Sequence, residues 1–268
     1  MDEHMNISQK ASVGSHENTL IGVQNNQYGL THMQAIEMAF SIFKEYYPQL
    51  KKDVLEELNG MVKEKLSSVP EENIVPPTPR IAVPTLQNAS ITEEVDIREL
   101  YANLLANSMN KVVKDGIHPA YVEIIKQLSP DEAKLLCYMK SHSTIPTITL
   151  RRENDKGEGT EIIKNFSNIG EFSKCEHPFE INKYFDNLIR LGLLEPSTLS
   201  SLTNKQLYEP LKTHTYLKPY LEEKYLQKTE YNIPKFNEGY MSLTDFGKSF
   251  CKVCLNPIQT ITIYVGEE

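Results

Sequence analysis

The chain has 268 residues, 40% of them hydrophobic and 24% charged, with a formal net charge of −8. At roughly 150 residues per domain this is one large unit or two small ones, long enough for a core without disulfide staples. The acidic balance excludes a surface that grips nucleic acid all over. The lack of any apolar run of about 18 residues excludes a membrane-spanning helix, and the polar, acidic start excludes a secretory signal, so a cytoplasmic protein with reduced cysteines is expected.

Residues 1–27 are rich in Asn, Gln, Ser and His and read as a flexible leader, too polar to offset the entropy of ordering. Residues 28–66 read as an amphipathic helical region. Met33, Ile36, Phe40, Phe43 and Tyr47 recur at helical spacing, Pro48 breaks the run, and Leu50, Val54, Leu55, Leu58, Val62 and Leu66 resume it. Pro70, Pro76, Pro77, Pro79 and Pro84 make residues 67–84 a stiff linker and a sub-domain boundary.

Residues 85–142 read as a helical core segment, with helicity starting near Ile81. Ser90 and Glu93 have the spacing of a capping box, with Thr92 as a competing cap. The helix that follows carries Val95, Ile97, Leu100, Tyr101, Leu104, Leu105, Met109 and Val112, a face wide enough for burial on more than one side, and Asp115 with Gly116 ends it. His118 and Pro119 start another helix. Ser129, Pro130 and Glu132 give a second capping box, ahead of Ala133, Leu135, Leu136 and Tyr138 or Met139.

Residues 143–268 change character. Thr144–Leu150 alternates like a strand, Arg151–Thr160 is a hairpin tip, and Ile181–Leu191 is an amphipathic helix closed by Gly192. Leu193–Pro196 leaves as a short strand, a polar, Tyr-rich hairpin covers 197–236, and Tyr240–Leu243 returns as a strand. Thr244 caps a last helix weakened by Gly247, and Ile258–Val265 could be an edge strand. The expected fold is therefore mainly α (α+β): a helical N-terminal region followed by a winged-helix-like C-terminal domain with a small β-hairpin or sheet.

Few residues suggest chemistry. Cys251 and Cys254, with Cys175 and His177, could make a Cys3His zinc site, although Cys254 packed against Phe246 and Phe250 explains the helical pair as well. No metal is assigned and no cofactor is expected. There is no nucleophile elbow and no phosphate-binding glycine loop, so no catalytic residue is named and a non-enzymatic protein is expected. Asn103 and Asn107 share a helix stripe with Glu99, either as a buried hydrogen-bond network or as a solvated edge. His118 reads as a helix cap rather than a base. Nucleic-acid contacts could come from Asn182, Lys183, Asn187 and Arg190 on one helix and from Arg151, Arg152 and Lys156 at the hairpin tip, diluted by Glu153, Asp155, Glu158 and Glu161. Tyr208, Tyr216, Tyr220, Tyr225, Tyr231 and Tyr240 offer a protein-contact surface. A protein partner or self-association is thus the expected mode.

The stretch Pro79–Ser90, the acidic pair Glu93 and Glu94, the helix Leu100–Met109 and the run His118–Leu136 together resemble the bacterial abortive-infection alpha (Abi-alpha) family. Leu191–Leu194 and Leu243–Cys254 continue the likeness. Tyr101 stands where the family often has Trp, and the segment before residue 70 departs from the pattern. The resemblance implies a cytosolic bacterial or prophage protein of phage defence. It carries over no catalytic residue. Tyr101, Asn103, Asn107 and His118 are kept as binding candidates on the reading of their own positions.

Overall fold

A computed structural model of the protein describes residues 31–46, 52–197, 199–222 and 230–255. The leader over 1–27, the helix break at Pro48, Tyr225 and the strand expected over 258–265 lie outside the described residues.

Two amphipathic helices open the described chain, α1 (His32–Tyr46) and α2 (Lys52–Leu66). Ile36 and Phe40 of α1, and Val54, Leu55, Leu58, Val62 and Leu66 of α2, are buried, as the spacing requires. The expected linker is only partly one. Helix α3 runs from Pro79 to Ile91 and passes through Pro84. Pro79 occupies the first turn, where its missing N–H costs nothing. Pro84 removes one helix bond, but Ile81, Ala82, Leu86 and Ala89 bury the helix, and that burial outweighs a local breaker.

Ser90 does not start a helix. It lies inside α3, where its hydroxyl donates to the Gln87 carbonyl. Helix α4 (Val95–Ser108) begins after the turn without a side-chain cap. The turn is held from below instead: the Arg98 guanidinium donates to the carbonyls of Thr92 and Glu93 at 2.9 and 2.8 Å and reaches Glu57 at 3.1 Å. Every residue from Leu100 to Ser108 is buried. Helix α4 packs against α2, α3, α5 (Ala120–Ile125), α6 (Pro130–Ser141) and the last helix, so it is the axis of the helical part. It stops at Ser108, earlier than its apolar pattern predicts. The chain leaves to pair with residues 73–75, through Val75 N–H to the Met109 carbonyl and Lys111 N–H to the Asn73 carbonyl. Val112, expected on the core face, is exposed.

The second half carries one four-stranded antiparallel sheet in the order β2-β1-β4-β3. Its strands are β1 (Thr144–Glu153), β2 (Gly159–Phe166), β3 (Leu194–Ser197) and β4 (Ile233–Leu243). Strands β1 and β4 stay in register from Thr144↔Ser242 to Glu153↔Ile233. Between β2 and β3 lie the short α7 (Ile169–Phe172) and α8 (Ile181–Arg190). Gly192, at φ +72°, ends α8: its N–H meets the Ile189 carbonyl, and the Leu193 N–H meets the Leu188 carbonyl, both at 2.9 Å. The expected long hairpin over 197–236 is a packed excursion instead, with helical turns at Lys205–Tyr208, α9 (Glu209–Lys212), Thr215–Leu217 and α10 (Lys218–Leu221). Tyr208 is fully buried there; its hydroxyl accepts from Leu202 N–H and donates to the Gly239 carbonyl. The mainly α character with one small sheet is thus observed. Among the described residues no helix is long and apolar enough to cross a membrane.

Gly247, the apparent flaw in the last helix α11 (Asp245–Cys254), is a packing requirement: a Cβ there would lie 2.1 Å from the Leu193 carbonyl oxygen. Gly247→Ala should therefore lower stability by about 1–3 kcal/mol despite its better helix propensity, as read from the urea midpoint.

Candidate functional site

Asn103 and Asn107 form a buried network and not a solvated edge. Asn103 Nδ2 donates to the Cys254 carbonyl at 2.9 Å, and Asn107 Nδ2 donates to the Val253 carbonyl at 2.8 Å. Two amides on α4 thereby satisfy carbonyls that the C-terminus of α11 leaves without helical partners. Tyr101, on the same helix, is buried, and burial raises its pKa, helped by Glu123. His118 caps α5 through Nδ1, which accepts from Ala120 N–H at 3.1 Å, and its ring meets Phe246 edge-on. These four residues therefore build the core and its caps.

The cysteines and His177 do not gather. No group of three or more His, Cys, Asp or Glu side chains fit to hold a metal occurs among the described residues. Cys251 and Cys254 are buried in α11, where burial pushes the Cys251 thiol up to about 12 and holds the Cys254 thiol well above its ordinary value. Cys175 lies elsewhere, with its thiol against the Asp131 carbonyl. The zinc alternative fails because i, i+3 thiols of a core helix face inward to the apolar packing of α11.

The expected basic contacts are engaged within the fold. Arg151 Nε donates to Glu153 at 3.2 Å and its guanidinium also faces Glu161. Arg152 donates to the Tyr220 carbonyl at 2.7 Å, tying β1 to the excursion. On α8, Lys183 pairs with Glu180 at 2.8 Å, and Arg190 donates to Asn187 and Gln127. Of the tyrosines, Tyr208 is buried, Tyr225 is outside the described residues, and Tyr216, Tyr220, Tyr231 and Tyr240 are half-buried.

The densest polar cluster is one that sequence reasoning treated only as a helix start. The N-terminus of α6 carries the expected capping box: Glu132 N–H donates to Ser129 Oγ, and Ser129 N–H donates to Glu132 Oε2 at 2.7 Å. Glu132 does more, since Asn187 Nδ2 of α8 donates to its other oxygen at 2.8 Å. Its neighbour Asp131 is 4% exposed and accepts from four groups. These are Glu176 N–H at 2.8 Å, His177 N–H at 2.9 Å, Tyr184 Oη–H at 2.9 Å and Lys134 Nζ at 3.3 Å. Burial pushes the Asp131 carboxyl upward, but the two backbone donors, the tyrosine and the lysine outweigh it and bring the pKa down to about 2. The same contact works the other way on Tyr184, whose pKa is raised by burial and by the Asp131 charge.

Beside this cluster opens a groove of about 470 Å³, bordered by Lys126, Glu176, His177, Glu180, Lys183 and Asn187. Its walls come from α6, α8 and the segment between α7 and α8. Asp131, Glu132, Tyr184 and Asn187 are the residues that sequence reading missed as a unit. The signal was a buried-type acid beside a perfect cap, but its partners lie 45 to 55 residues away.

Because the folded pKa of Asp131 is depressed below its unfolded value of 3.8, its stabilisation is complete above that value and fades as pH falls toward about 2. Asp131→Asn should cost about 2 kcal/mol at pH 7. Urea midpoints of wild type and variant should converge as the pH is lowered from about 4 to about 2.

A family model described as abortive infection alpha matches residues 50–254. The match begins two residues ahead of α2, upstream of the Pro79 stretch that carries the visible motif, so α2 belongs to the family's pattern although it departs from the part recognisable by eye. No curated protein matches the chain. A solved structure of an uncharacterized protein from the hydrocarbon-degrading marine bacterium Alcanivorax borkumensis SK2 is 18% identical, covering 51% of this chain and 92% of its own. Its TM-score of 0.38 is too low to bear on fold or function. With α2 to α11 inside the matched range, the chain belongs to the abortive infection alpha family, which supports a role in abortive infection, the phage-defence response.

Proposed function

We propose that the protein is a non-enzymatic component of abortive infection that works in the cytoplasm through protein contacts. The observation that carries this reading is the family match over residues 50–254. The internal engagement of Arg151, Arg152, Lys183 and Arg190 agrees with it, because side chains bound to carboxylates and carbonyls of their own chain are poorly placed to neutralise phosphates. In this reading α6, α7, α8, β3 and β4 form a winged-helix-like unit. Its excursion packs on the sheet instead of reaching into a groove of DNA.

Expression in a phage-sensitive bacterium should reduce plaque number, and at high phage input the infected cells should die before releasing phage. Normal plaquing across a broad phage panel would count against the role. The second reading, a winged-helix regulator of nucleic acid, predicts salt-dependent binding of labelled duplex DNA that the Arg151→Ala/Arg152→Ala variant loses. We expect no retained duplex even at low salt.

A further inference from the structure

We draw no further inference here: the strongest candidate, the exposed aromatic surface of Phe172 and Phe179 at the two ends of the loop joining α7 to α8, carries nothing because no feature of the structure shows what covers it.

Discussion

The fold depends on burying α4 beyond its first turn, where Val95 and Asp96 stay exposed. A helix surrounded on all sides must hide every polar group it carries, and α4 carries Arg98, Asn103, Asn107 and Ser108. Each is answered. Arg98 takes the carbonyls at the end of α3, and the two asparagines take the last carbonyls of α11, 146 and 151 residues further on. Ser108 turns back to the Leu105 carbonyl of its own helix. The polar residues of the central helix are therefore the connectors that fix where its neighbours start and stop. Leaving any of them unpaired in that setting costs about 1–3 kcal/mol.

The same logic organises the second half around Asp131. A carboxylate at a helix N-terminus is favourable on its own, because it meets the positive end of the helix dipole. Asp131 adds the two N–H groups of the exposed loop and the hydroxyl of Tyr184 on α8. Glu132, next to it, closes the cap and binds α8 through Asn187. One acidic dipeptide so joins α6, the loop and α8 beside the groove. His214 completes the loop's support: its Nδ1 accepts from Tyr216 N–H, which leaves Nε2 to donate to Glu171.

Burial raises the pKa of Tyr184, helped by the Asp131 charge, and the donors around Asp131 lower its own, so both shifts follow from the contacts that join α6, the loop and α8.

Much of the architecture was legible in the sequence because it is local. The stripes of α2 and α8, the Ser129 cap, the Gly192 stop, the Thr244 cap and the β1 alternation are each decided within a few residues, where helix and strand periodicity act. So was the family, carried by the α3–α6 stretch. The tertiary structure alone decided the rest. It carried α3 through Pro84, made Ser90 an end and not a beginning, and ended α4 at Ser108. It also drew Arg152 to Tyr220 and gathered Asp131, Tyr184 and Asn187. Those outcomes rest on burial and on hydrogen bonds between residues tens to more than a hundred positions apart. A buried polar atom must find a partner wherever the chain brings one, and local sequence does not say where that is.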